Sequence, residues 1–178
     1  HKDYSYLQKH IDAVLALEYV DKEAIKAANF KVALDAVNST GGTFIPALLD
    51  ALGVQTIYKI HCEPNGNFPH NPEPLKEHLT DLSAAVIENK ADLGIAVDPD
   101  VDRLVFMMED GELFGEEYTL VAVADYLLQH KKGNTVSNLS STRALRDVTK
   151  AHGGEYYAAA VGEVNVVTKM KEVDAVIG

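Results

Sequence analysis

Leu7, Ile11, Val14 and Leu15 recur at helical spacing, which predicts an amphipathic helix from about Tyr4 to Glu18, with a short turn restarting at Asp21. The β-type run from Phe30 to Val37 ends in Asn38-Ser39-Thr40-Gly41-Gly42, where two glycines permit a tight strand-to-helix turn. A helix is expected from Thr43 to Leu52, closed by Gly53. Val54 to His61 reads as a strand with Val54, Thr56, Tyr58 and Ile60 on one face and Ile57 on the other. A polar loop rich in Pro and Asn follows from Glu63 to Pro74. Leu75, Leu79, Leu82 and Val86 then form the stripe of a helix lying on a sheet. Ala91 to Val97 is the third strand and Leu104 to Met108 the fourth.

Strand, helix, strand, helix, strand in that order implies right-handed crossovers and a mainly parallel sheet. The pattern restarts after Gly111 and Gly115. A helix from Glu116 to about His130, a strand Thr135 to Leu139 and a helix near Arg143 to His152 come first. A strand Tyr156 to Val161, a helix Glu163 to Glu172 and a short strand at Val176 complete it. The expected fold is α/β: two successive three-layer domains with mainly parallel sheets, residues 1–112 and 113–178, the second incomplete. The chain starts at His1 without an initiator methionine and stops as a strand reaches a loop, so a segment of a longer protein is expected.

Composition narrows the function classes. The 178 residues are 47% hydrophobic and 24% charged, a globular balance. No apolar stretch approaches the roughly 18 residues of a membrane helix, and no cleavable leader opens the chain. No membrane association is expected. Twenty-seven acidic residues against 16 basic ones leave a net charge of −11, which repels phosphate backbones, so nucleic acid is not an expected partner. The lone cysteine, Cys62, cannot form an internal disulfide and fits a reducing, cytoplasmic setting.

Chemistry concentrates in Asp98-Pro99-Asp100-Val101-Asp102-Arg103, at the carboxyl end of a strand expected to be buried. In open α/β sheets ligands bind at that edge. Aspartates at i, i+2 and i+4 of an extended loop can turn oxygens toward one hard cation. Mg²⁺ suits the array, because three carboxylates leave about three of six octahedral positions for water or phosphate. Arg103 compensates the excess negative charge and can grip a phosphate. A plain polar turn would leave three carboxylates repelling one another. An EF-hand loop matches at Asp98, Asp100, Asp102 and Glu109, but its sixth position holds Arg103 instead of glycine and a strand follows.

The run from Gly94 to Leu104 resembles the metal-binding loop of the α-D-phosphohexomutases, the family of phosphoglucomutases, phosphomannomutases and phosphoglucosamine mutases. Asn71-Pro72-Glu73-Pro74 and Ala91-Asp92-Leu93-Gly94 resemble the stretch that precedes that loop. Leu34-Asp35 through Gly41-Gly42 resembles the opening strand and glycine turn of the family's second domain, and Val161-Gly162-Glu163 resembles a turn of the third. The resemblance covers nearly the whole chain and maps it onto the second and most of the third of four domains. It implies a mutase moving phosphate between the 1 and 6 positions of a hexose or hexosamine phosphate through a phosphoserine. Asp98, Asp100 and Asp102 would hold Mg²⁺, and Arg103 would be catalytic. The resemblance places the phosphoserine in domain 1 and the phosphate clamp in domain 4, so the chain alone is expected to be inactive.

Several residues have competing readings. Glu163 corresponds to a sugar-facing position in some family members, yet a glutamate there also suits the first turn of a helix. Ser140 and Arg143, in the loop Ser140-Ser141-Thr142-Arg143, are candidates for substrate contact, with helix capping as the alternative. His61, His70 and Cys62 lack zinc-ligand spacing with a fourth group and are read as structural. The competing functions are a catalytically inactive metal or sugar-phosphate binding module, and an α/β phosphatase with an aspartate nucleophile. The phosphatase would carry its D-x-D pair after the first strand, whereas the triplet here follows the third.

Overall fold

The computed structural model describes residues 5–178, apart from the side chain of Glu116. Residues up to Phe114 form one compact unit and Gly115–Gly178 a second. Helix α1 spans Ser5–Leu15, and the first residue expected of it, Tyr4, lies outside the described residues. The expected turn at Asp21 is an N-cap: its Oδ1 accepts from the Ala24 amide at 2.9 Å and opens α2, Lys22–Ala28. Asn29, at φ 53°, closes that helix in the left-handed conformation.

The first sheet is built from β1 (Lys31–Asp35), β2 (Thr56–Ile60), β3 (Leu93–Val97) and β4 (Leu104–Met107), in the order β2-β1-β3-β4. Helix α3 (Gly41–Ala51) connects β1 to β2, and α4 (Thr80–Asn89) precedes β3. β1 pairs in parallel with β2 and β3, and β4 folds back antiparallel on β3. The central strand is buried on both faces, which is why its sequence is apolar without alternation. Val32, Leu34 and Ala36 pack with Leu49, Val54, Ile95 and Val97 on one side. Ala33 packs with Leu79, Leu82, Val86, Ala96 and Met107 on the other.

Two expectations are corrected here. The helix proposed from Leu75 begins only at Thr80; residues Lys76–His78 form a single 3₁₀ turn and Leu75 remains 41% exposed. Val54 lies before β2 and joins the cluster that contains Ile57, whereas Tyr58 and Ile60 pack on the opposite face. The strand starts two residues later than expected, at Thr56, so the alternation does not reach back to Val54.

In the second unit, α5 (Glu116–His130), β5 (Asn134–Asn138), α6 (Ala144–Ala151), β6 (Tyr156–Ala159), α7 (Glu163–Glu172) and β7 (Ala175–Ile177) follow in turn. The sheet is parallel, in the order β6-β5-β7. Val121, Ala124 and Leu145 form its buried cluster. Its interior also holds a polar pair, Thr135 Oγ1 to Thr149 Oγ1 at 2.6 Å, with Thr149 donating to Leu145 O. Among the described residues, no helix is long and apolar enough to cross a membrane.

Cys62 follows β2, and its Sγ donates to the carbonyls of Ile60 and Leu34 at 3.2 and 3.6 Å. Burial, then the charge of Asp35, pushes the thiol up to about 11. The stability this thiol contributes is complete below about pH 8.5, where the unfolded thiol titrates. It is lost as pH rises toward the folded value of about 11. At pH 8 iodoacetamide should alkylate Cys62 about 10²-fold more slowly in the folded chain than in urea, because the thiolate is the nucleophile. Equal rates in the two states would show that the thiol is not held as described.

Candidate metal centre

Asp98 follows β3 at the carboxyl edge of the first sheet, where burial of the strand ends and the loop turns outward. Its side chain is nearly buried, and Oδ1 accepts from the Arg103 amide at 3.0 Å, closing the loop across five residues. Val101, a β-branched residue, sits at φ 63°, and its amide bonds to Asp98 O at 3.2 Å. A β-branched residue in the left-handed region is held there by its surroundings, and such strain concentrates at functional loops. The surroundings are visible. Ser39 Oγ and Thr40 Oγ1 both donate to Pro99 O at 2.8 Å, tying the turn after β1 to the acidic loop.

Asp98, Asp100 and Asp102 each present a carboxylate oxygen within 4.8 Å of the others. Oxygens around an octahedral Mg²⁺ at about 2.1 Å are roughly 3 to 4 Å apart, so the three donors fit one ion with small adjustments. Their titration is split. Burial raises Asp98, but the Arg103 amide and hydrogen bonds with Asp102 and Asp100 outweigh it and hold the carboxyl below its ordinary value. The hydrogen bond shared with Asp98, followed by the charge of Asp100, raises Asp102. The crowding of these carboxylates is what raises Asp102, and a divalent cation would relieve their repulsion.

Arg103 is held by Glu73 while still feeling the charges of Asp102 and Asp98. Its guanidinium forms an ion pair with Glu73, and the hydrogen bond and charge of that carboxylate raise its pKa. Both side chains are about half exposed, so the pair can open toward an incoming anion. Glu73 was legible in the sequence only as part of a loop; its contact with Arg103 depends on how that loop returns to β3.

The second-unit candidates are placed as follows. Ser140 is oriented by Asn138, whose Oδ1 accepts from its amide and hydroxyl at 2.9 and 2.7 Å and from Ser141 Oγ at 3.1 Å. Ser140 also lines a cavity of about 260 Å³ with Glu117, Ser137, Ser141 and Thr142. Arg143 occupies the N-cap position of α6 with helical dihedrals and makes no side-chain cap. The hydroxyl near that helix start is Thr142 Oγ1, which accepts from the Ala144 amide at 3.3 Å. Glu163 is the exposed first residue of α7, next to Gly162 at φ 120°. The cavity beside Ser140 is lined by neither Arg143 nor Glu163.

A second group of potential ligands emerges from the tertiary structure. Asp35, at the end of β1, is 1% exposed, and His61 Nδ1 and His70 Nε2 lie 3.0 and 3.1 Å from the same oxygen, Oδ2. The histidines therefore do have a third member, lying 26 and 35 residues upstream. Cys62 is turned away to backbone carbonyls and does not join them.

Two α/β units in series, the first carrying an acidic loop at the carboxyl edge of its sheet, define a multidomain α/β protein with oxygen donors gathered at one rim. Residues 8–111 match the family described as phosphoglucomutase/phosphomannomutase, alpha/beta/alpha domain II, and residues 115–178 match domain III of the same family. The chain belongs to the phosphoglucomutase/phosphomannomutase family. It is 31% identical to a probable phosphoglucosamine mutase of Methanopyrus kandleri over 99% of this chain and 38% of that protein. It is 34% identical to a phosphoglucomutase/phosphomannomutase of Thermococcus kodakarensis over 89% of this chain and 35% of that protein. A solved phosphoglucomutase/phosphomannomutase family protein from Burkholderia thailandensis superposes with a TM-score of 0.84 at 27% identity, over 99% of this chain and 38% of that one. The chain thus spans a little over a third of the length of these relatives.

Proposed function

We propose that this chain is the metal-carrying and sugar-facing part of a phosphohexomutase that moves phosphate between the 1 and 6 positions of a hexose or hexosamine phosphate. The observation that carries the proposal is the convergence of Asp98, Asp100 and Asp102 at the rim of the first sheet, beside an arginine on an openable ion pair. In this reading the phosphoserine and the clamp for the second phosphate belong to segments beyond the chain, as the relatives' greater length allows.

Asp98, Asp100 and Asp102 would hold Mg²⁺. The ion would supply charge neutralisation for a phosphoryl group in transfer, where charge spreads over its equatorial oxygens. Asp98, nearly buried and pinned by the Arg103 amide, orients the loop; Asp100 and Asp102 are the exposed, adjustable donors. Arg103 leaves Glu73 to pair with a phosphate oxygen, and Glu73 keeps the guanidinium aimed until then. Ser140, Arg143 and Glu163 are proposed for the sugar side. Ser140 has the best support, because its hydroxyl is oriented by Asn138 next to a cavity.

The metal step is testable with the chain itself. Mn²⁺, read by its EPR signal, should bind in a ratio of one per chain and be displaced by Mg²⁺, and Asp102→Asn should weaken it about tenfold. Failure of the unmodified chain to take up Mn²⁺ would remove the basis of the proposal. Mutase turnover of glucose, mannose and glucosamine 1-phosphates by a protein joining this chain to the remaining family domains tests the reaction. Metal binding without turnover of any of them would favour a binding module instead.

A further inference from the structure

The Asp35, His61 and His70 cluster presents a problem in proton accounting. His70 Nδ1 lies 2.8 Å from Asn71 O, and a carbonyl only accepts, so Nδ1 carries the ring proton. A neutral imidazole has a single N–H, so Nε2 would then point a lone pair at the Asp35 carboxylate, 3.1 Å away. His61 is held closely on one side only. Its Nδ1 faces Asp35 Oδ2 at 3.0 Å and its Nε2 faces Asp81 Oδ2 at 3.5 Å, so both ring nitrogens look at carboxylate oxygens. Asp35 Oδ1 is already occupied by the Val37 amide at 2.9 Å. Two arrangements satisfy these contacts: a second proton on the ring, or a metal ion between the two imidazoles and Oδ2.

We infer that Asp35 Oδ2, His61 Nδ1 and His70 Nε2 form a second metal site, distinct from the aspartate loop, that takes a borderline cation of the Zn²⁺ type. Two imidazole nitrogens and one carboxylate form a ligand set suited to Zn²⁺, with a fourth position left to water. The three atoms lie within 4.8 Å of one another. At Zn–N and Zn–O bonds of about 2.0 Å, tetrahedral neighbours are about 3.3 Å apart. The observed 3.0 and 3.1 Å need to open by only a few tenths of an ångström. The outer contact of His70 is that of a metal-bound histidine, whose remaining N–H donates to a carbonyl, here Asn71 O; His61 Nε2 faces the exposed Asp81 carboxylate at 3.5 Å. His61 is moreover held at φ 48°, in the left-handed region, with its carbonyl accepting from the Asn38 amide at 2.6 Å.

The site is a clamp. It joins the end of β1, the end of β2 and the loop through His70, immediately before Asn71 and Glu73. Asn71 Oδ1 accepts from the Glu73 amide at 3.0 Å, and Glu73 holds Arg103, so the clamp steadies the partner of that arginine. This inference stands independently of phosphoryl transfer at the aspartate loop.

Co²⁺ is the probe that separates the two sites. In a chain stripped of metal, one equivalent of Co²⁺ should give the intense visible bands of tetrahedral coordination, displaced by Zn²⁺. An all-carboxylate octahedral site gives only weak absorption. Asp100→Asn should leave the bands in place, and His70→Ala should weaken the uptake they report by at least about 10²-fold. If His70→Ala does not fold, His61→Gln and the imidazole ¹⁵N shifts of the unmodified chain on adding Zn²⁺ provide the same reading. Weak bands alone in excess Co²⁺, ¹⁵N spectra showing both rings doubly protonated and indifferent to Zn²⁺, or bands surviving both histidine variants would overturn the inference. Loss of Mn²⁺ at the aspartate loop with the cobalt bands retained would count against the proposed function only.

Discussion

Asp100→Asn, in a protein that joins this chain to the remaining family domains, should lower mutase kcat by about 10³-fold, the scale of losing one preorganised electrostatic contact to a transition state. The melting temperature should barely move. Asp100 is exposed, and apart from its hydrogen bond with Asp98 the contacts that shape the loop belong to its neighbours. Asp98 receives the Arg103 amide, and Pro99 O receives the Ser39 and Thr40 hydroxyls. Removing one negative charge from three crowded carboxylates even relieves repulsion in the metal-free chain. Steady-state kinetics across a range of Mg²⁺ concentrations, paired with thermal unfolding, is the measurement. Turnover close to that of the unmodified protein would refute the metal role proposed for the loop, and a collapse of the melting temperature would show that Asp100 is structural.

Gly42→Ala should cost about 3 kcal/mol of stability, at the upper end of overpacking substitutions, with a fall in Tm of roughly 10 °C. A Cβ on Gly42 would lie 2.3 Å from the Cys62 carbonyl oxygen and 2.7 and 2.9 Å from its carbonyl carbon and Cα. These are backbone atoms at the end of β2, and no rotamer change can move them aside. Gly41→Ala should cost less. Its Cβ meets Val97 Cγ2 at 2.6 Å, a side-chain atom that can yield at some expense to the buried cluster. Denaturant unfolding of both variants tests the order, and equal stability of Gly42→Ala and the unmodified chain would contradict the approach of α3 to β2 described here.

These glycines show how a correct local expectation can have a different cause. The pair Gly41-Gly42 suggested a tight turn, but the left-handed residues in the turn are Val37 and Asn38, at φ 45° and 53°. The glycines are required because a helix start passes against the next strand's backbone and against Val97. Similarly, the four-residue spacing from Leu75 to Leu79 suggested one helix, while the chain takes only a 3₁₀ turn before α4. Pro72 and Pro74 precede it, and spacing alone does not register that the chain leaves them extended: Leu75 has ψ 152°.

The linear pattern of residues specified the succession of elements, because helical and strand periods are local properties of neighbouring residues. It also singled out Asp98, Asp100 and Asp102, but they converge through a turn at Pro99 and Asp100 and the left-handed Val101, not through the extended loop expected of i, i+2, i+4 spacing. What lies opposite what emerges from the folded arrangement: β4 reversed on β3, Glu73 on Arg103, and above all Asp35 between His61 and His70. Those contacts depend on strand order and register, through which residues 26 and 35 positions apart arrive at the same rim of a sheet. A linear pattern carries the period of each element but not the register between them, and the second cluster depends on that register.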